Sequence, residues 1–335
     1  MALRIATFNA ENLMQRFDFS GYRNELRRDR TLQMVDVKDE QQFRDLEQAR
    51  VISHADDKMQ LTALAISDTN ADIICLQEVE NLSALQAFEY GYLFKMAGAG
   101  YMRKYLVEGN DGRGIDVAVM TRDETADGDP IEFVSLQSHA QYTYESAGVF
   151  NRELKEIGEL PHERVFRRDC LEIDLRIGGK PLTLFVVHFK APWPDPETAW
   201  AQRRAEALAV RRLIARRFDD PAAALWLVAG DLNDPQHDTE RAVAPLLQGF
   251  SVDLAARVPE GDRWTWWHEE GRRGNPDALL ASPALAARWP LAVPQVVRAG
   301  MGRDAGGAGA RFEDVGARRP HASDHAALVL DLPGL

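Results

Sequence analysis

Hydrophobic positions along the chain gather into short runs rich in β-branched residues: RIATF (4–8), DIICLQ (72–77), IDVAVM (115–120), CLEIDL (170–175), LTLFVV (182–187), LWLVA (225–229) and AALVLDL (326–332). Each has the length of a strand and is apolar nearly throughout, as expected where both faces are covered. Between them the period changes. KMQLTALAISDT (58–69) and ETAWAQRRAEALAVRRLIARRF (197–218) predict helices, the second with apolar residues at 208, 210, 213, 214 and 218. Strands interleaved with helices in this rhythm indicate an α/β chain.

Polar residues stand at the ends of these runs. Asn9 follows RIATF, Glu78 follows DIICLQ, His188 follows LTLFVV, and Asp231 and Asn233 follow LWLVA within LWLVAGDLND (225–234). If these four strands run the same way, their polar ends meet at one edge. Toward the C-terminus the order reverses: Asp277 precedes ALLAS (278–282), and Ser323, Asp324 and His325 precede AALVLDL. For these residues to join the others, their strands must run the opposite way, which calls for mixed or antiparallel sheets. The cluster draws on positions 9 to 325, so a single domain over 1–335 is expected, although the length alone would allow two. Taken singly, an Asn or Asp after a strand is ordinary turn chemistry. A lone Glu is a solvated loop residue or a cap, and lone histidines such as His54, His139, His162 and His237 are structural or exposed. The coincidence at several strand ends is what argues for a site.

Residues 16–56, with RNELRRDR and DVKDEQQFRDLEQAR, are heavily charged and read as an insertion between the first strand and the first helix. A second irregular stretch covers about 136–163, and GMGRDAGGAGARFEDVG (300–316) is glycine-rich enough for a mobile loop. With 45% hydrophobic and 27% charged residues, the chain can bury a sizeable core. A formal net charge of −12 argues against a surface that grips nucleic acid over its whole extent but leaves room for a local basic patch. Cys75 and Cys170 lie in strand-like runs and suit reduced core packing better than a disulfide. MALRIATFN lacks a basic segment followed by a long apolar one, and no run of eighteen apolar residues occurs. An unexported, cytoplasmic protein without stable membrane association is expected.

The pieces TFNAENL (7–13), LQEVEN (76–81), RGIDVAVM (113–120), VHFKAP (187–192), GDLND (230–234), NPDALLAS (275–282) and SDH (323–325) resemble, in order, the endonuclease/exonuclease/phosphatase superfamily. These are metal-dependent phosphoesterases with DNase I-like and exonuclease III-like branches. The resemblance covers the chain from end to end. It implies a four-layer α/β sandwich, two packed mixed β-sheets flanked by helices, with the active site at one edge. It further implies that Glu78 binds a divalent metal directly, with Asn9 and Asp324 close by. Asp231 and Asn233 would orient the attacking water and the phosphate, and Asp277 would hold His325. His188 stands where the DNase I-like branch carries a second catalytic histidine and the exonuclease III-like branch an asparagine.

These residue types suit that chemistry. A phosphodiester repels a nucleophile, and its transition state moves charge onto nonbridging and leaving oxygens, which a divalent cation neutralises. Glu78, Asp324 and amide oxygens form a hard oxygen set suited to Mg²⁺ or Mn²⁺. No cysteine or closely spaced histidine pair lies near them, which disfavours zinc. Asp277 would fix the tautomer of His325 and raise its basicity, acid–base help worth about 10²–10⁴-fold. Either His325 or Asp231 can take the water proton. His325 is assigned as base or phosphate contact, Asp231 as water-orienting, and His188 as acid or oxyanion donor. Asn233 would donate to a phosphate oxygen, a role the repelling carboxylate of Asp234 could not share. Gly230 lets the backbone turn or approach closely.

RWTWWHEEGRRGNPD (263–277) and ARRPHASDH (317–325) lie beside these motifs. Trp266 can stack on a base, or Trp264, Trp266 and Trp267 can pack in the core at strand spacing. Arg113 and Arg319, with Arg272, Arg273 and Arg318, can contact phosphates or face solvent. The expected substrate is a phosphodiester, nucleic acid first. The alternatives are a sphingomyelinase-like lipid diester or a small diester, and last an inert binding protein. The Tyr-Arg and W-C-D-R motifs of the inositol polyphosphate phosphatase branch are absent, as is a G-x-S-x-G elbow. No protein partner is indicated.

Overall fold

The computed structural model describes residues 2–14, 56–98, 100–235, 240–268 and 270–335. All but the last residue of the expected 16–56 insertion, with His54 and His237, lie outside them. The first apolar run becomes β1 (Ala2–Leu13), followed by helix α1 (Asp56–Thr69), β2 (Ile73–Val79), helix α2 (Leu82–Phe88), β3 (Arg103–Leu106) and β4 (Asp116–Thr121). Next come β5 (Ile131–Ser138), β6 (Cys170–Ile177), β7 (Lys180–His188), helix α3 (Pro196–Arg217), β8 (Trp226–Asp231) and β9 (Val252–Asp253). The remaining strands are β10 (Trp266–Trp267), β11 (Arg273–Gly274), β12 (Asp277–Ala281), β13 (Gln295–Val297) and β14 (Ala327–Pro333).

The strands form two six-stranded sheets, ordered β13-β14-β1-β2-β4-β3 and β5-β6-β7-β8-β12-β9, plus the hairpin β10-β11. Alternation along each strand builds the layers. In β2, Ile73 and Cys75 point between the sheets while Ile74 and Leu76 point outward. Ile5, Ile73 and Val117 of the first sheet meet Ile173, Leu184, Leu227 and Leu279 of the second in the central core. Outside, Ile66 of α1 and Leu85 of α2 pack with Phe8 and Leu76, and Val210 and Ile214 of α3 with Phe185 and Val228. The result is the expected four-layer sandwich. With both sheet faces covered, the strands read as continuous apolar runs. Cys75 and Cys170 are buried and free.

The strand directions follow the expectation. β1 is parallel to β2 and antiparallel to β14; β7 is parallel to β8, and β12 antiparallel to β8. Strands β3, β5, β9, β11 and β13 were not anticipated, while β10 falls in the tryptophan run for which strand spacing was one reading. β5 borders its sheet, exposes Phe133 and Val134, and carries a register shift between Phe133 and Ser135, so neither burial nor alternation announces it. The glycine-rich stretch 300–316 is mostly loop. It contains a 3₁₀ turn (Arg303–Ala305), buries Ala305 and Val315, and is crossed by Arg303 Nε donating to Val315 O at 2.6 Å. Its glycines serve close packing, as described below.

Candidate active site

The parallel register of β7 and β8 sets His188 beside Asp231, and antiparallel β12 sets Asp277 on the other side of Asp231. Gly230 permits this approach: a Cβ there would lie 1.9 Å from Val187 O, and its φ is +146°. Asp231 is buried. Its Oδ1 accepts from Asn233 N at 2.8 Å and its Oδ2 from Asn9 Nδ2 at 3.0 Å, with His188 Nε2 at 3.6 Å and His325 Nε2 at 3.9 Å. His325 Nδ1 faces Asp277 Oδ2 at 2.8 Å, which turns its Nε2 toward Asp231 and toward Asp324 Oδ1 at 4.0 Å. Ser323 Oγ donates to Asn9 O at 2.7 Å and accepts from His325 N at 2.9 Å, tying the entry of β14 to β1. Asn9, His188, Asp231, Asn233, Asp277 and His325 thus converge from positions far apart in the chain.

Their surroundings polarise them. Burial, with the neighbouring Asp277 charge, pushes the Asp231 carboxyl up to about 7. Burial opposes a charged His325, yet Asp277, Asp324 and Asp231 together hold its imidazole well above the usual histidine range. His188 goes the other way: burial first, then the Arg168 and Arg113 guanidinium charges, keep it neutral. Of the two imidazoles facing Asp231, one is therefore held as a cation and the other is not.

Beside this group lies an acidic cluster. Asn12 N donates to Glu78 Oε2 at 3.0 Å, and Asp324 N to Glu11 Oε2 at 3.2 Å. Burial and the charges of Glu11 and Glu78 raise Asp324 to about 6. Glu11, Glu78 and Asp324 are each half-buried, and their carboxylates are hard oxygen donors of the kind that suit a divalent cation. Asp231, Asp277 and His325 also bring ligand atoms within 4.8 Å of one another, but Asp277 and His325 already bond each other. Four of the five described non-glycine residues with left-handed backbone, Glu11, Asn12, Glu78 and Asn233, sit here. Such strain collects where side chains must be aimed rather than packed.

The residues expected to touch substrate are engaged as follows. Trp266 Nε1 donates to Asp324 Oδ2 at 3.0 Å, so this indole orients an acidic residue, while Trp264 and Trp267 are buried. Arg319 pairs with Glu11 at 2.9 Å, and Arg113 with Asp111 at 3.3 Å. One amide hydrogen of Asn233 goes to Phe189 O at 3.1 Å. Three participants escaped the sequence reading. Glu11 gathers Lys58, Arg319 and His321, which hold its carboxyl far below the usual range against the effect of burial. Arg168 Nη1 donates to Phe189 O at 3.1 Å, and Glu206 on α3 accepts from Lys190 N at 2.8 Å and Arg167 N at 3.1 Å. Both grip the turn that follows His188. Glu11 lies inside TFNAENL and could have been noticed; Glu206 had no signal beyond a charge among apolar helix positions.

A match to the family model described as Endonuclease/Exonuclease/phosphatase family spans residues 50–325. The chain belongs to the endonuclease/exonuclease/phosphatase family. Among solved structures it resembles truncated TDP2 from Caenorhabditis elegans (16% identity, TM-score 0.54, covering 99% of this chain and 98% of that one). It is also similar to the human Nocturnin catalytic domain with bound sulfate anion (12% identity, TM-score 0.57, 98% and 93%). A third likeness is to D. rerio TDP2 complexed with single strand DNA product (14% identity, TM-score 0.53, 98% of each). At these identities the likenesses speak to the DNase I-like fold. No curated protein matches the chain. Among the described residues of this family member, no helix is long and apolar enough to cross a membrane.

Proposed function

We propose that the protein is a divalent-metal-dependent phosphodiesterase that cleaves nucleic acid by in-line attack of water. The observation that carries this reading is the convergence of Asp231 Oδ2, His188 Nε2 and His325 Nε2 beside the Glu78 and Asp324 carboxylates. Glu78 and Asp324, with Asn9 and Glu11 beside them, would hold Mg²⁺ or Mn²⁺, which would neutralise the phosphate and the leaving oxygen. Asp231, fixed by Asn233 N and Asn9 Nδ2, orients the water and takes its proton; a carboxyl pushed to about 7 suits a base at neutral pH. His325, steered by Asp277, contacts a nonbridging oxygen through Nε2, and neutral His188 donates to oxygen on which charge develops. The second amide hydrogen of Asn233 is assigned to the phosphate. The D. rerio TDP2 structure with single strand DNA product supports nucleic acid as the substrate class.

The test is hydrolysis of an aryl phosphodiester and of DNA with Mg²⁺ or Mn²⁺, set beside hydrolysis of sphingomyelin vesicles under the same conditions. Metal-dependent nicking of plasmid without lipid turnover is expected. Lipid turnover alone would reassign the substrate, and inertness toward all three would remove the catalytic reading.

A further inference from the structure

Several arginines flank the site, and some are paired with acids. Arg272 pairs with Glu270, Arg318 with Asp304 and Arg319 with Glu11. Arg273, Arg298 and Arg311, like neighbouring Arg263 and Arg303, bond only to backbone carbonyls among the described residues, but these three also crowd about Trp264 and one another. Arg273 Nη2 donates to Ala305 O at 2.6 Å, Arg298 Nη2 to Trp264 O at 2.6 Å and to Asp262 O, and Arg311 to Gly306 O and Gly309 O. The Nε atoms of Arg298 and Arg311 are buried without a partner. The Trp264 ring lies against two of these cations, with the Arg298 guanidinium 4.0 Å and the Arg273 guanidinium 4.6 Å from its centroid. Burial, then the repulsion of Arg311 and Arg273, brings Arg298 down to about 10 although Asp262 opposes it. Arg311 is lowered by burial, Arg273 and Arg303. Like charges crowded on one ring with no ion pair among the described residues are costly unless an anion joins them.

The glycine-rich loop explains how they come together. A Cβ on Gly307 would lie 2.6 Å from the Trp264 ring, and one on Gly306 would lie 2.9 Å from Arg273 Nη2; both glycines have positive φ. Only bare backbone can lie this close, so the loop clamps the cation and tryptophan stack in place. The stack is also continuous with the active site. Trp266, two residues from Trp264, holds Asp324, Trp267 N donates to Asp324 O at 3.1 Å, and Ala326 N donates to Thr265 O at 2.6 Å.

We propose that Arg273, Arg298 and Arg311 form a second anion subsite, which takes a phosphate of a single-stranded polynucleotide away from the bond being cut. Arg273 is exposed and Arg311 half-buried, so their planar donor forks can match phosphate oxygens, while buried Arg298 adds its charge from beneath. A phosphate on a membrane surface fits less well, because no large exposed apolar side chain lies within 262–268, 270–275 or 298–320. The assignment rests on the nuclease reading, and its test separates the two.

A fluorescein-labelled single-stranded oligonucleotide is titrated with wild type and with Arg273→Gln/Arg311→Gln in EDTA, where no cleavage is needed. Affinity is expected to fall about tenfold in the double variant, and the slope of log K against log salt to shrink by about one per lost arginine. Arg273→Lys should keep the wild-type slope while binding more weakly. With metal present, kcat/KM on the oligonucleotide should fall more than on bis(4-nitrophenyl) phosphate, whereas damage to the fold would lower both together. An unchanged affinity and salt slope, equal losses on the two substrates, or tighter binding to phosphatidylserine vesicles than to the oligonucleotide would each overturn the subsite. A wild type that binds the oligonucleotide through these arginines yet cuts nothing would overturn only the nuclease reading.

Discussion

Asp231 shows how much a single position depends on its neighbours. After an apolar strand it has the look of a turn residue, yet it receives two hydrogen bonds and faces two imidazoles. Asp231→Asn and His325→Ala are each expected to lower kcat/KM on an aryl phosphodiester by about 10²–10⁴-fold, or about 3–5 kcal/mol of barrier, in steady-state assays. Gly230→Ala should destabilise the fold by about 1–3 kcal/mol in urea titrations, because its new methyl would collide with Val187 O. Asp116, the cross-strand partner of Val79 in β2, supplies a pH test. Burial, then Asp169, Asp111 and Glu108, raise its carboxyl to about 7, while Gly109 N donates to it. A folded-state pKa above the unfolded one favours the protonated fold. This contribution is complete below pH about 4 and lost as the pH rises through about 7. Relative to Asp116→Asn, the wild type should therefore lose stability between pH 4 and 8 in urea melts at stepped pH; a constant difference would remove Asp116 as the cause.

At the scale of elements, α3 does more than cover a sheet. Its C-terminal half carries the apolar stripe visible in the sequence, and its N-terminal half buries Arg203 and Glu206 against the turn after His188. Glu206→Ala would leave the amides of Arg167 and Lys190 unpaired in the interior. It is expected to cost about 1–3 kcal/mol of stability by urea titration and to reduce kcat, with Glu206→Gln recovering part of both. The long apolar strands and both long helices were legible because burial on two faces writes an unbroken hydrophobic signal. The edge strands were not, since exposure and a register shift erase it in β5, and two-residue strands such as β10 and β11 are too short to carry any period. Trp266 illustrates the consequence: the sequence offered base stacking or core packing, and the short hairpin instead aims its indole at Asp324.

For the whole molecule, the site exists only when the two sheets are closed on each other, since Asn9 and Asp324 come from one and Asp231 and Asp277 from the other. A cation held by Glu78 and Asp324 should therefore stabilise the folded protein. At a hundred times its Kd, Mg²⁺ or Mn²⁺ is expected to add about 2.7 kcal/mol, seen as a higher Tm that EDTA reverses and that Glu78→Ala and Asp324→Ala both lack. The pattern of residues determined the α/β class and the strand directions, because hydrophobic periodicity is local and the polar residues lie on opposite ends of the early and late strands; the four layers were implied by the family resemblance. The sequence also named most of the polar residues that the fold gathers around Asp231. Only the tertiary structure decided what surrounds them: the Glu11 cluster, the grip of Glu206 and Arg168, and the division of arginines into those with acids and those without. Partners for a charge are chosen by distance in space, and chain order carries no record of that distance.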